Sequence, residues 1–214
     1  MIEILNATKK YRNKIVLNNI SFKFENGNSY AIIGVNGSGK TQLMKAICGF
    51  TKLNKGEIYQ DGKKIRDKYN FINDAGLLVD KVGYLDNLTL LDNLNKIRLI
   101  NNVCSSNKLM ALINYFNLDE YTNVKYHKLS LGNKKRALII QALMDNPSIL
   151  ILDEPFDSLD EEGVVLLKEY LIKFMKNKKN ILLISSHHTS DLIGICDYSI
   201  KLDKGRITCF EKIK

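Results

Sequence analysis

The first part of the chain alternates apolar and polar residues in short segments, a pattern that predicts β-strands. The clearest case is Ile20, Phe22 and Phe24, which precede an Asn-Gly turn and predict an early strand and hairpin. The segments predicted after it are a strand at 29–33, a glycine-rich loop at 34–39, a helix at 40–49 and a strand at 57–60. The chain is therefore predicted to begin as a β-rich region that contains one helix.

The middle of the chain, from about residue 89 to 145, has helical spacing and almost no strand signal. One apolar stripe, at intervals of three and four residues, consists of Leu109, Leu112, Ile113 and Phe116. Either Ser105 or Ser106 is a suitable N-terminal cap for that helix. A further helix is predicted over 131–145, where Asn146-Pro147 stops it.

Strands return in the last third of the chain. The predicted elements are strands at 148–152 and 181–186, a helix at about 160–177 between them, and a closing hairpin of 198–202 and 206–210. The first two strands are continuous apolar runs, which are typical of parallel strands buried on both faces. Strands that alternate with helices around a helical middle indicate an α/β core that carries a helical subdomain.

Length and composition narrow the class of protein. The chain has 214 residues, 45% of them hydrophobic and 26% charged, which suits one sizeable globular domain and excludes wholesale disorder. No apolar run approaches the roughly 20 residues of a membrane span. Charged and polar residues interrupt residues 1–20, where a signal peptide would have its apolar core. We therefore expect a protein in the cytosol or on the cytosolic face of a membrane.

The basic excess has two interpretations. The 32 Lys and Arg residues exceed the 23 Asp and Glu residues by nine, a formal charge of +9. A composition rich in Lys, Asn and Ile is also what an AT-rich genome produces. The lysines are scattered and not clustered as on a nucleic-acid-binding face, but a positive surface still favours phosphates or an anionic lipid leaflet. The four cysteines form no CxxC pair and no zinc spacing, so we expect reduced thiols.

The segment GVNGSGKT, residues 34–41, matches the pattern G-x-x-x-x-G-K-[ST] after a predicted strand and at the start of a predicted helix. Glycines allow consecutive backbone N–H groups to converge on phosphate oxygens, and a helix N-terminus adds unsatisfied donors. In such a loop Lys40 reaches the β- and γ-phosphates and the Thr41 hydroxyl ligates Mg²⁺. The alternative is a chance glycine-rich turn, which 13 glycines in 214 residues rarely produce in this pattern. The segment predicts nucleotide binding.

Two carboxylates follow the apolar run at 149–152. Asp153 and Glu154 would lie at the C-terminal edge of a buried parallel strand, where α/β sheets bind ligands. There Asp153 would hold Mg²⁺ through water, and Glu154 would polarise a water molecule against the γ-phosphate. Alone, such a pair is equally compatible with a helix cap, and it gains weight only from the phosphate loop upstream.

Two other positions have open alternatives. Ser130 and Gly132 precede a basic helix start, which is either an anion-binding arrangement or an ordinary N-cap. His187 follows the strand predicted at 181–186 and so lies at the sheet edge that holds Asp153. A lone histidine is usually structural, and the adjacent His188 leaves the choice between the two histidines open.

Taken in order, these motifs resemble the nucleotide-binding subunit of an ABC transporter over essentially the whole chain. The matching segments are Walker A at 34–41, the signature-like LSLGN at 129–133, Walker B with the catalytic glutamate at Asp153-Glu154, the D-loop at 158–160 and the switch histidine at 185–187. The resemblance implies an α/β P-loop NTPase (RecA-like) core, residues 1–87 and 146–214, with an N-terminal antiparallel β subdomain. Residues 88–145 would form an ABC-type helical subdomain with the signature motif.

The resemblance also implies roles for individual residues. Glu154, His187 and Lys40 are expected to act in ATP hydrolysis. The residues expected to contact ATP are Tyr11, Asn36, Gly37, Ser38, Gly39, Lys40, Thr41, Gln42, Ser130, Gly132 and Asp160. Tyr11 lies where the family has its adenine-stacking aromatic residue, although an ordinary exposed tyrosine is the alternative.

The expected Mg²⁺ ligands are Thr41, Asp153 and Asp80. Asp80 departs from the family, which has Gln at that position, and an ionised Asp is shorter and donates no hydrogen bond. Asp80 is therefore expected either to help position the metal or water or only to link to the membrane subunit.

The expected partners also follow from the resemblance. Two such domains pair head-to-tail, so that each ATP lies between the phosphate loop of one chain and Ser130 and Gly132 of the other. A homodimer is favoured because every catalytic position except Asp80 is occupied conventionally, while a heterodimer stays open. An integral membrane permease and the anionic inner leaflet are the other expected contacts, with no nucleic acid.

Residues 76–94 and the SLG form of the signature resemble the drug- and antibiotic-exporting branch. The resemblance therefore implies an ATPase that powers export of a peptide, an antibiotic or a lipid-like molecule. One alternative is a soluble ABC-type ATPase for cofactor assembly or nucleic-acid repair. A small P-loop kinase is a third class, against which the signature, D-loop and switch-histidine series argues.

Overall fold

The computed structural model describes residues 1–66, 71–79, 83–187 and 189–214. The strands of this part of the chain are β1 (Ile2–Tyr11), β2 (Lys14–Phe24), β3 (Ser29–Ile33), β4 (Lys55–Gln60), β5 (Lys63–Lys64), β6 (Ala75–Leu78), β7 (Ile149–Leu152), β8 (Ile181–Ser186), β9 (Tyr198–Asp203) and β10 (Arg206–Lys212). The α-helices are α1 (Lys40–Ile47), α2 (Leu90–Asn101), α3 (Ser106–Tyr115), α4 (Leu131–Leu143) and α5 (Glu161–Phe174). Short 3₁₀ turns lie at Asp119–Tyr121, Tyr126–Lys128 and Thr189–Leu192.

An antiparallel sheet of order β2-β1-β4-β5 contains the N-terminal strands. Its first strand escaped prediction, and the second begins six residues earlier than the predicted alternation at Ile20. The physical reason is bulging: the β1–β2 register shifts between Ile4 and Ala7 and again by Lys9. Each bulge moves the following side chains to the other face, so the period of two is lost.

The second sheet has the order β10-β9-β3-β8-β7-β6, and only β10 pairs antiparallel to its neighbour. Strands β7 and β8 are buried along their whole length, in agreement with their apolar runs. The short strand β6 was not predicted because Ala-Gly-Leu-Leu has neither the length nor the branched residues that identify a strand. Parallel β3, β7 and β8 bring their C-terminal ends to one edge.

The predicted helical middle contains α2, α3 and α4. Ser105, and not Ser106, caps α3, because its side chain accepts from the Lys108 N–H at 3.2 Å. The predicted helices were too long at their C-terminal ends: α1 ends at Ile47, α4 at Leu143 and α5 at Phe174. Apolar periodicity continues past the last helical hydrogen bond, so it does not mark where a helix ends. Across the described ranges, no helix combines the length and apolarity that a membrane span requires.

Gly76 of β6 allows α4 to pack tightly on the second sheet. A Cβ there would overlap the carbonyl oxygen of Ala142 and crowd the side chains of Leu150 and Pro147. We expect Gly76→Ala to lower the free energy of unfolding by about 3 kcal/mol, since neither the helix backbone nor the strand can shift cheaply. Urea unfolding of both proteins measures this. Gly83→Ala is the control, because a Cβ at that position would have nothing within 4 Å of it, and an equal loss there would refute the packing argument.

Candidate nucleotide-binding site

The phosphate loop connects β3 to α1 and leaves the start of that helix open. Gly37 and Gly39 have φ values of 81° and 114°, a region that favours glycine. A Cβ at Gly39 would also lie 2.8 Å from the carbonyl oxygen of Val16. Gly39 is the N-cap of α1 and no side chain hydrogen-bonds there. The first N–H groups of the helix are therefore available to an anion.

Lys40 places a buried ammonium group beside this opening. The residue is 5% exposed, and its Nζ donates to the Gly34 carbonyl oxygen at 2.7 Å. The same Nζ lies 3.1 Å from Glu154 Oε1. Burial of a lysine requires partners for its charge, and here they are the loop backbone and one carboxylate. Lys40 and Glu154, 114 positions apart in sequence, thus meet at one edge of the sheet.

Asp153 is held by two hydroxyl groups, which rules out the helix-cap alternative for it. Thr41 Oγ1 donates to Asp153 Oδ2 at 2.6 Å, and Ser185 Oγ donates to Asp153 Oδ1 at 2.6 Å. Ser185 also accepts from the Glu154 N–H at 2.9 Å. The sequence had offered Ser185 only as part of the segment before His187. Ser185 could have been identified from one signal, a polar residue at the buried end of an apolar strand.

Glu154 and His187 form the third contact at this edge. The backbone N–H of His187 donates to Glu154 Oε2 at 3.1 Å, and its Nδ1 lies 3.1 Å from the same oxygen. Burial acts to raise the pKa of Glu154, but the hydrogen bonds from His187 and Lys40 outweigh it and hold that pKa below its ordinary value. The carboxylate is therefore ionised at neutral pH and able to accept a proton.

Two donor sets at this edge differ in the metal they suit. Thr41 and Asp153 offer hydroxyl and carboxylate oxygens 2.6 Å apart, the hard ligands that Mg²⁺ prefers, so these residues fit that ion. Glu154, Asp157 and His187 also bring one ligand atom each to within 4.8 Å of one another. That second set includes an imidazole, which suits transition metals better than Mg²⁺. Asp80, the third expected ligand, lies outside the described residues, as does His188.

A cavity of about 290 Å³ opens on this group of residues. Its lining consists of Lys14, Val16, Val35, Asn36, Gly37, Ser38, Gly39, Lys40, Thr41, Gln42 and Glu154. The Ser38 hydroxyl is buried there without a hydrogen-bond partner in the described part of the chain, so a ligand oxygen could bond to it. The residues expected from the phosphate loop to contact ATP, Asn36 to Gln42, thus all line one cavity.

Tyr11 lies beside this cavity and not in its lining. The residue is 47% exposed, and its hydroxyl donates to Gln42 Oε1 at 3.1 Å. Lys9 Nζ lies 4.5 Å from the ring centroid. Gln42 therefore connects the exposed aromatic ring to the phosphate loop.

The remaining expected contacts lie elsewhere in the chain. Ser130 is the N-cap of α4 and accepts from the Asn133 N–H at 3.1 Å, as its capping alternative predicted. Asp160 is the N-cap of α5 and accepts from Arg136 Nη2 at 2.6 Å. The Arg136 hydrogen bond and the Gly163 N–H lower the pKa of Asp160. Neither Ser130, Gly132 nor Asp160 lines the cavity, so within this chain they are separate from the phosphate loop.

This combination defines a P-loop α/β fold of the ATP-binding cassette class. The ATP-binding cassette MJ0796, solved as a dimer in a post-hydrolysis state with ADP and Pi, superposes with a TM-score of 0.85 and 24% identity. The match covers 100% of this chain and 99% of that one. The predicted fold class, with an antiparallel β subdomain and a helical subdomain on a P-loop core, is confirmed.

The sequence comparisons identify the family. The family model described as "ABC transporter" matches residues 17–157. The uncharacterized ABC transporter ATP-binding protein YybJ of Bacillus subtilis is 37% identical over 100% of this chain and 97% of its own length. The chain therefore belongs to the ABC transporter family, as its motifs had indicated, and it is an ATP-binding subunit of that family.

Two further relatives have names that specify a transport process. The lantibiotic transport ATP-binding protein SrtF of Streptococcus pyogenes is 30% identical over 97% of this chain and 89% of its own length. The spermidine/putrescine import ATP-binding protein PotA of Mycoplasma capricolum is 28% identical over 97% of this chain and 60% of its own length. Relatives of this chain thus include one named for import.

Proposed function

We propose that the chain binds and hydrolyses ATP to power export by a separate membrane subunit. The observation that carries this proposal is the meeting of the phosphate loop with the two carboxylates: Lys40 contacts Glu154, and Thr41 contacts Asp153. Such an arrangement would provide a phosphate cradle, a metal-binding pair and a general base beside one cavity. Its test is ATP-dependent phosphate release by the purified protein, with Glu154→Gln as the inactive reference.

The proposal assigns steps in hydrolysis to the phosphate loop, to Glu154 and to His187. The open N–H groups of α1 and the Lys40 ammonium would hold the β- and γ-phosphates, so Lys40 would exchange Glu154 for phosphate oxygens. Glu154 would then accept the proton of the attacking water molecule. The ring of His187, 3.1 Å from that carboxylate, would orient it and contact the γ-phosphate.

Thr41 and Asp153 would hold Mg²⁺, which neutralises charge on the phosphates when bound. Both carboxylate oxygens of Asp153 already accept hydroxyl hydrogen bonds, so the side chain is fixed before any ion arrives. That fixed orientation supports the expected role of Asp153 as a ligand through water. Asp80 remains a proposed ligand or coupling residue.

We propose a head-to-tail pairing of two cassettes, with a homodimer favoured. Ser130 is exposed and outside the cavity of its own chain, and the Asp160 side chain is 67% exposed. Both are therefore accessible to a nucleotide held by a partner. The core of residues 1–87 and 146–214 would bind ATP through its own phosphate loop, and the helical subdomain of 88–145 would present the signature to the partner's ATP.

The membrane side of the proposal rests on similarity. An integral permease would carry the cargo, a peptide, an antibiotic or a lipid-like molecule, and the cassette would sit peripherally on the cytoplasmic face. SrtF, named for lantibiotic transport, fits an antibiotic-like cargo and has the higher identity and coverage of its own length, while PotA is named for import. Co-purification with an integral membrane protein tests the coupling. Its absence, together with full ATPase activity of the free chain, would favour the non-transport alternative.

Tyr11→Ala is expected to weaken ATP binding more than turnover. Stacking of the adenine on the exposed ring would act on ground state and transition state alike, so KM rises while kcat changes little. Loss of about 1–3 kcal/mol of stacking corresponds to roughly a 5- to 150-fold weaker Kd. ATP titration and steady-state kinetics measure the two effects. Tyr11→Phe keeps the ring but loses the bond to Gln42, and should bind nearly normally; a lower kcat at unchanged KM would contradict stacking.

A further inference from the structure

One face of helix α4, which begins with the signature residues, touches the loop between β7 and α5. Lys135 hydrogen-bonds to Glu154 and Arg136 to Asp160, and Gly132 lies so near the loop that a Cβ there would be 3.0 Å from the Ser158 carbonyl oxygen. Positions 132, 135 and 136 are spaced i, i+3 and i+4, so they share one side of the helix. The loop that carries the catalytic glutamate is therefore seated on the signature helix of the same chain.

The hydrogen bond from Lys135 holds the backbone of Glu154. This residue has φ 46°, a left-handed conformation that costs a non-glycine residue about 1–2 kcal/mol. Such a conformation persists where the surroundings determine it. Here the Glu154 N–H donates to Ser185 Oγ at 2.9 Å, and its carbonyl oxygen accepts from Lys135 Nζ at 2.9 Å. The same carbonyl oxygen also accepts from the Asp157 N–H at 3.3 Å, within the loop. Both backbone groups of the glutamate are thus fixed, the N–H by the sheet and the carbonyl by α4 and the loop itself.

Lys135 and the adjacent Lys134 have different surroundings. Burial lowers the pKa of Lys135, while the carboxylates of Asp157, Asp153 and Glu154 act in the opposite direction. Its ammonium group thus lies in the field of the site carboxylates, yet its hydrogen bond goes to a backbone carbonyl. Lys134 makes different contacts: its Nζ donates to the His127 carbonyl oxygen at 3.4 Å and lies 5.3 Å from the centre of the Tyr126 ring.

We propose that Lys135 is a positioning residue, which holds Glu154 in its reactive conformation and connects it to the signature helix. The proposal rests on the proposed function of the site. In a dimer, Ser130 and Gly132 would contact the partner's nucleotide at the start of α4. A shift of α4 on contact with that nucleotide would then be passed to this chain's own Glu154 through the Lys135 side chain.

The test compares Lys135→Met with the matched variant Lys134→Met. We expect kcat of Lys135→Met to fall about 10- to 100-fold, the loss caused by a displacement of roughly 1 Å in a catalytic group. The Kd for ATP should stay within about twofold of the wild-type value, because Lys135 does not line the cavity. Lys135→Arg should restore part of kcat, since the guanidinium can donate to the same carbonyl. Lys134→Met should behave as wild type.

Hydrogen–deuterium exchange without nucleotide provides a readout independent of activity. Lys135→Met should increase exchange in the loop of residues 153–160, and Lys134→Met should not. Unchanged loop exchange, unchanged kcat, or an equal effect of both lysine variants would overturn the role of Lys135. So would a loss of ATP affinity matching the loss of kcat. A wild-type protein that hydrolyses no ATP overturns the proposed function instead, and the exchange comparison still decides the role of Lys135.

Discussion

Replacement of Glu154 by Gln should stop hydrolysis while ATP stays bound. The amide has the shape of the carboxylate but cannot accept the proton of the attacking water, and a positioned general base contributes about 10²–10⁴ in rate. The substitution also removes a negative charge that Lys40 now balances and that a γ-phosphate would have to approach. ATP should therefore be retained, and two cassettes should remain closed around it.

Phosphate release and size-exclusion chromatography with ATP measure the two parts of this prediction. Turnover should fall by about three orders of magnitude, and an ATP-dependent dimer should accumulate. Glu169→Gln is the control and should turn over ATP as wild type, because Glu169 is an exposed carboxylate of α5 that lines no part of the cavity. Near-normal turnover in Glu154→Gln would remove the residue from the role of base. Loss of ATP binding would show that its contact with Lys40 is structural.

The second large effect is expected from Lys40→Met, which keeps the apolar stem and removes the buried charge. Hydrogen bonds from a charged donor contribute about 1.5–3 kcal/mol each, so ATP affinity should fall about 100-fold. Hydrolysis should be lost as well, because the γ-phosphate would lack its cationic partner. Lys40 is also one of the groups that lower the pKa of Glu154, so that pKa should rise towards its ordinary value.

Binding of a fluorescent ATP analogue and phosphate release measure the two losses for Lys40→Met. Lys45→Met, in the last turn of the same helix, is the matched control and should bind as wild type. Thermal unfolding of both variants separates a local effect from a folding defect. Wild-type affinity in Lys40→Met would exclude Lys40 from phosphate binding. An equal loss in both variants would indicate damage to α1.

The sequence predicted elements where one pattern persists, and it failed where a single residue interrupts the pattern. Strands β7 and β8 were found as apolar runs because both of their faces are buried. Strand β1 was missed because bulges shift its register, and β6 because Gly76 is there for close packing on α4 and not for strand propensity. Among site residues, Ser185 was not singled out. Its importance depends on a bond to Asp153 across 32 positions of sequence, which no local pattern shows.

The sequence by itself determined the nucleotide-binding chemistry, because a phosphate loop needs its glycines, Lys40 and Thr41 in one continuous stretch. It also determined the family, through motifs that occur in a fixed order. Only the tertiary structure decided how separate stretches cooperate: which hydroxyl groups hold Asp153, which groups keep Glu154 ionised, and that Lys135 reaches the glutamate's carbonyl oxygen. Those facts arise from contacts between distant elements, and such contacts follow from the packing of the whole chain.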